Sequence, residues 1–205
     1  MLRPKHLLFG AFGLMALFVL WNNERFLIDP SAAAWARYDP IRLHLLPHGV
    51  GGALALAIGA TQFSSRLRRK RPRAHRFLGK LYIISSFVLA PVAIFIALKI
   101  SPWFMTVFTI VQAVTLMAFT AAAYWSIRHG NVAQHREWMV RSYAVLLVFL
   151  EGRVLMAIPA IAQQGMDSVV LVNWACFALS LVVAEFVLRW ADLFPARAKA
   201  LPITR

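Results

Sequence analysis

The sequence predicts an all-α, polytopic membrane protein: one integral domain, 1–205, built as a six-helix transmembrane bundle with both termini in the cytoplasm. Three observations carry this. Hydrophobic residues make up 60% of the chain and charged residues only 15%, against about 45–50% and about 25% in a soluble domain. The apolar residues come in runs, roughly 6–22, 41–63, 77–99, 102–126, 138–163 and 168–190. The connections between the runs alternate between rich and poor in Lys and Arg, as the positive-inside rule requires for helices that reverse direction at each crossing. All runs but the first reach the ~20 residues that cross ~30 Å of hydrocarbon at ~1.5 Å per residue. Lipid offers no partner to main-chain N–H and C=O groups, so each run must be helical.

The first run, LLFGAFGLMALFVLW after MLRPKH, is longer than a signal-peptide core. WNNERF follows where small residues would be needed for cleavage, and the alanines at 32–34 lie too far downstream. It reads as an uncleaved span. Loop 23–40 sets Arg25 and Arg37 against Glu24, Asp29 and Asp39, a balanced outer loop. Loop 64–76 carries Arg66, Arg68, Arg69, Lys70, Arg71, Arg73 and Arg76, a charge density that holds it in the cytosol. The third connection has only Lys99. Loop 127–137 has Arg128 and Arg136, with Arg141 just inside the next run. The fifth connection, QQGMDS, has no cation, and the tail has Arg197, Lys199 and Arg205. Trp21, Trp103, Trp125, Trp138 and Trp190 sit at run ends, where an aromatic belt places them. Pro47, Pro91 and Pro159 are expected to be kinks or helix ends.

The net charge of +14 would suit nucleic acid if it formed one patch. Here it is distributed between apolar runs, so the expected partner is a bilayer with anionic headgroups, not nucleic acid. A membrane-protein partner or a second copy stays open. Cys176 is the single cysteine, so no internal disulfide forms. Nothing matches a Rossmann or P-loop signature, which disfavours nucleotide chemistry.

Polar residues inside the runs are the functional candidates, because ionisable groups are costly in hydrocarbon. His44, His48, Gly52, Ala55, Gly59 and Gln62 follow steps of three and four and share one face of the second span. The glycines read as a close-packing stripe. His48 lies well inside the span and needs a partner, while His44 reads as interfacial. His44-x-x-x-His48 also has the spacing of two metal ligands on one helical turn, but no third ligand is local. His75-Arg76 and His135-Arg136 stand at the cytoplasmic ends of the third and fifth spans. They are either interfacial, or face each other and hold one iron centre with the arginines on haem propionates. A faint echo links them, since Lys80 and Tyr82 follow the first pair and Arg141 and Tyr143 the second. Glu151 and Arg153 are two residues apart and point to opposite sides of the fifth span. Arg153 with His48, and with Glu151 as a further candidate, is expected to make an outer polar cluster. Arg141 and Glu185, at similar depth, are expected to pair as a structural lock. Gln112 and Asn173 read as interhelical hydrogen bonders.

The stretches PHGVGGALALAIGATQF, RPRAHRFLGKLY, QHREWMVRSYA and EGRVLMAIP, in that order, resemble a bacterial family of predicted membrane proteins, domain of unknown function 2306. The resemblance covers about His44 to Pro159. It implies a polytopic bundle in a bacterial inner membrane and no defined reaction. Its motif positions here include His48, Gly52, Gln62, His75, Gly79, Tyr82, His135, Trp138, Arg141 and Arg153. A looser likeness is to two-haem transmembrane b-type cytochromes, through six helices, histidines near both faces and the His75 to Gly79 spacing. Those proteins use two histidine pairs on four helices. Here the fourth span has no buried histidine, so at most one bis-histidine haem b, on His75 and His135, is straightforward.

Three functions follow as expectations: a histidine-based redox module binding b-type haem or quinone, a non-catalytic membrane subunit or assembly factor, and a small-solute or proton permease lined by His48, Glu151 and Arg153. The topology has its own test. A periplasm-dependent phosphatase fused after Arg69 is expected to be inactive, and a fluorescent protein fused there to be bright.

Overall fold

The computed structural model describes residues 4–22 and 41–190, together with Trp35 and Tyr38, and the side chains of 4–8 are not described. The balanced loop 23–40 and the basic tail therefore lie outside the described residues, as does Arg3. Within them the chain is helical throughout: α1 (Pro4–Asn22), α2 (Arg42–Gln62), α3 (Ser65–Lys70), α4 (Pro72–Ile100), α5 (Trp103–Arg128), α6 (Val132–Met156), α7 (Pro159–Ala162) and α8 (Met166–Leu188). Four of these, α2, α4, α5 and α8, are long and apolar enough to cross a membrane. In α1 the apolar part, Phe9–Asn22, is shorter, and α6 carries Arg136, Glu137, Arg141, Glu151 and Arg153.

The most charged of the long helices is the most enclosed. From Ser142 through Val148 every residue of α6 is buried, and α6 packs against α1, α2, α5, α7 and α8. The apolar helices form the outside, with Ile84, Leu171, Leu179 and Val182 exposed. That is the order expected when the surroundings are hydrocarbon: apolar side chains can face lipid, whereas a helix with ionisable groups is sheltered by its neighbours. The largest contact is between α2 and α4, followed by α5 with α6, α6 with α8, and α4 with α5.

Two boundaries differ from the sequence reading. The basic loop is partly helical. Ser64 caps α3, its Oγ accepting from Leu67 N at 3.2 Å, and α3 ends on Arg68, Arg69 and Lys70, where cations oppose the negative end of the helix dipole. Pro72 then starts α4 at its first turn, so His75 and Arg76 lie within a helix. The run 138–163 is not one helix. It breaks after Met156 because Ile158 precedes a proline and is extended, at φ −79° and ψ 117°. Pro159 is thus an end, while Pro47 and Pro91 are accommodated inside α2 and α4. The turn from α5 to α6 uses Gly130 at φ 77°, a left-handed residue that lets Asn131 N reach Ser126 O at 2.9 Å and close the helix end. Asn131 then caps α6 by accepting from Gln134 N at 3.0 Å.

Close approach of α2 to its neighbours depends on Gly59, which the pattern singled out, and on Gly51, the residue before Gly52. A Cβ on Gly51 would lie 3.3 Å from Leu89 Cβ. One on Gly59 would lie 2.6 Å from the Tyr143 ring and 2.9 Å from Tyr82 Cε2, so α2, α4 and α6 meet there. Gly52 has nothing within 4 Å of the same position. Gly59→Ala is therefore expected to destabilise the protein by about 1–3 kcal/mol through overpacking. Gly52→Ala is expected to be neutral or to stabilise by up to about 1 kcal/mol through helix propensity. Thermal melting of both variants in detergent checks the contrast.

Candidate functional site

The polar groups sort into three levels along the bundle. At one end, α4 and α6 bring His75 and His135 within electrostatic reach of each other, with Arg68 of α3 also in reach of His75. His135 Nδ1 lies 2.8 Å from the carbonyl of Ala123 on α5. A carbonyl only accepts, so Nδ1 carries the proton and the Nε2 lone pair is left for another partner. His75 Nδ1 is buried without a hydrogen-bond partner. The two rings are within electrostatic reach of each other, and each keeps a ring nitrogen without a protein partner. Arg76 and Arg136 follow these histidines and are exposed.

The middle level is one the sequence reading did not assemble. Tyr82, Ser86, Thr120 and Ser142 are all fully buried. Tyr82 Oη is 2.9 Å from Ser142 Oγ. The Ser142 hydroxyl donates to Met139 O at 3.3 Å, so Tyr82 is the donor in the first bond. Ser86 Oγ donates to Tyr82 O at 2.9 Å, and the Thr120 hydroxyl stands toward the same phenol. Tyr143 Oη donates to Leu56 O at 3.1 Å on α2. The tyrosines that follow the two histidines in the chain thus converge on Gly59. Only that echo hinted at this, because lone serines in apolar runs carry no periodic signal.

At the other end, His48 Nδ1 is 3.3 Å from Leu89 O on α4, reachable because Gly51 lets the two backbones close. Again the proton sits on Nδ1 and Nε2 is free to accept. Arg153 is within electrostatic reach of His48, and its guanidinium lies 5.4 Å over the Phe149 ring. Glu151 is not with them. It faces α8, where Ser180 Oγ donates to its Oε2 at 2.6 Å. His44 stacks on Phe95 at 4.2 Å, with its Nδ1 buried and unpartnered. Among the described residues no group of three His, Cys, Asp or Glu could hold a metal ion, so His44 and His48 do not extend to a three-ligand zinc site.

Of the remaining candidates, Arg141 and Gln112 hydrogen-bond across helices, while Gln62 and Asn173 pack against glycines of a neighbouring helix. Arg141 bonds Glu185 of α8 through Nε at 2.5 Å and through the outer nitrogen at 3.1 Å, and Glu137 at 3.3 Å. Gln112 Nε2 donates to Val145 O at 3.1 Å. Gln62 is buried and its Oε1 abuts Gly79, where a Cβ would come to 3.3 Å. Asn173 does not make the interhelical bond expected of it: it donates to Val169 O one turn back within α8, and toward α6 its Oδ1 only packs on Gly152, 2.9 Å from where a Cβ would stand.

Residues 45–188, from the start of α2 to the end of α8, match the family described as "Predicted membrane protein (DUF2306)". The chain belongs to that family. No curated protein and no solved structure matches it. Every candidate of this DUF2306 protein except His44 falls inside the matched region, while α1 falls outside it. The buried hydroxyl level has a direct test. Ser142→Ala leaves the Tyr82 phenol unpaired and should cost about 1–3 kcal/mol, whereas Tyr82→Phe combined with Ser142→Ala should cost less than the sum of the single changes. Denaturation of the three variants in detergent measures the difference.

Proposed function

We propose that this DUF2306 protein is a histidine-based redox module of a bacterial inner membrane, with six spans and both termini in the cytoplasm. In this reading α1 and α6 cross along with the four apolar helices. The seven cations of 66–76 hold the end bearing His75 inside. His75 and His135 would hold one b-type haem, and Arg76 and Arg136, next to them in sequence, would pair with its propionates. Bound there, haem would supply one-electron chemistry. The observation that carries the reading is the His135 Nδ1 to Ala123 carbonyl bond at 2.8 Å next to the orphaned His75 nitrogen. A ligating imidazole is commonly oriented by such a bond through its other nitrogen. At the other end His48 Nε2 offers an acceptor beside the Arg153 cation, which suits a quinol hydroxyl.

The competing reading is a non-catalytic subunit or assembly factor. It is favoured by the fact that Arg141, Glu151 and Gln112 each spend their polar atoms on a neighbouring helix. A permease is less well supported, because Glu151 faces α8, away from His48.

The deciding experiment is a reduced-minus-oxidised spectrum of the protein purified in detergent after expression with added haem precursor. Soret and α bands that vanish in His75→Ala and in His135→Ala are expected. A wild-type protein with no such bands ends the redox reading and leaves the subunit reading.

A further inference from the structure

The helix α4 begins charged and continues apolar, and both characters lie on one outward face. Arg73, Phe77, Lys80, Ile84 and Val88 follow at steps of three and four and are all exposed, so they form a single stripe along the helix. The stripe continues to Phe95 and Leu98. Phe77 is 62% exposed and Ile84 58%, whereas Tyr82 and Ser86, on the opposite face, are fully buried. Because α4 is long and apolar enough to cross a membrane, the apolar part of this stripe meets lipid chains in a bilayer.

The charge at the head of the stripe has no counterpart in the protein. The seven cations of 66–76 are followed by Lys80, and no acidic residue occurs between Asp39 and Glu137. Among the described residues none of these cations forms an ion pair. The two glutamates at this end of the bundle are already engaged. Glu137 pairs with Arg141, and Glu185 pairs with Arg141 and lies within electrostatic reach of Arg189.

Arg73 and Lys80 are seven residues apart, about 10 Å along the axis, and nearly in line on the helix surface. Arg73 stands in the first turn of α4. Lys80, two turns deeper, keeps its ammonium in a polar layer by laying its stem along the helix toward that end. Both charges then serve the headgroup level, with the Phe77 ring between them. A phosphodiester fits there when an acyl chain runs down past Ile84 and Val88. Two cations on one phosphate leave positive charge in excess. A zwitterionic headgroup adds an ammonium to that excess and is disfavoured, whereas an anionic lipid adds none. Nucleic acid or an acidic protein segment would match the cations but not the apolar stripe.

We propose that this face of α4 is a binding site for an anionic phospholipid of the phosphatidylglycerol type, its phosphate between Arg73 and Lys80 and an acyl chain on the stripe below. The site needs only that α4 crosses the bilayer. It is independent of the redox reading, since His75 projects to nearly the opposite side from Arg73 and Arg76, at the edge of the stripe, is not required.

The test uses the full chain in detergent, titrated with phosphatidylglycerol, phosphatidylethanolamine and phosphatidylcholine bearing identical acyl chains and read by native mass spectrometry. Preferential retention of phosphatidylglycerol is expected. Arg73→Gln with Lys80→Gln should weaken that retention about five- to thirtyfold, as for two cations near an anionic surface, and leave phosphatidylcholine retention unchanged. Arg42→Gln with Lys99→Gln removes the same charge from the other end of the bundle and should keep the preference. Added salt should reduce phosphatidylglycerol retention in the unaltered chain, which reads the site without a variant. Equal retention of the three lipids, an unaltered preference in Arg73→Gln with Lys80→Gln at native helicity, or an equal loss in the opposite-end pair would overturn the proposal. So would displacement of the lipid by equimolar glycerol phosphate, or a lipid-free dimer covering α4.

Discussion

The structure depends on enclosing α6. A helix with an arginine and a glutamate along its half-buried length, Arg141 and Glu151, is unstable against hydrocarbon, because each ionisable group there needs a partner or a path to water. The surrounding helices supply those partners. Glu185 takes Arg141, Ser180 takes Glu151, and the Val145 carbonyl accepts from Gln112. The shell can be apolar on its outer face because the polar requirement is met inside. Burial follows the same division, with Ser142 to Val148 closed on all sides and the outer helices exposing Leu and Val.

Enclosure also explains the positions of the small residues. Helices in lipid gain little from the hydrophobic effect between themselves, so tight packing and interhelical hydrogen bonds hold them together. Gly59 accepts two tyrosine rings, Gly51 brings a main-chain carbonyl within reach of His48, Gly79 meets the Gln62 amide and Gly152 meets Asn173. Each glycine sits where a side chain would push a neighbouring helix away. The candidate sites therefore rest on packing: His48 and His135 each use a carbonyl of a neighbouring helix to fix a tautomer, and those carbonyls are near only because the backbones are.

Much of this was legible beforehand. The apolar runs and the partners Arg141 and Glu185 follow from hydropathy and depth along a rigid helix, and the DUF2306 motifs were visible as a resemblance. Three things were not legible. The small-residue face of α2 was read through Gly52, but the register of α4 selects Gly51, since helix rotation is set by the neighbour and not by the pattern. Glu151 was a candidate companion of Arg153, yet the two residues project to opposite sides and only the location of α8 decided which side had a partner. The serine and threonine hydroxyls around Tyr82 carried no signal, because single small polar residues in apolar helices have no periodicity to reveal that three helices bring them together.

By itself the sequence determined that the chain is a helical membrane protein, because composition and run length leave the backbone no other way to satisfy its hydrogen bonds in lipid. It also determined which residues are costly to bury, since that cost belongs to the side chain. Only the tertiary structure decided which helix lies at the centre and which histidines acquire a carbonyl behind them. Those outcomes depend on how helices rotate and cross, and rotation and crossing are fixed by contacts between segments far apart in the chain.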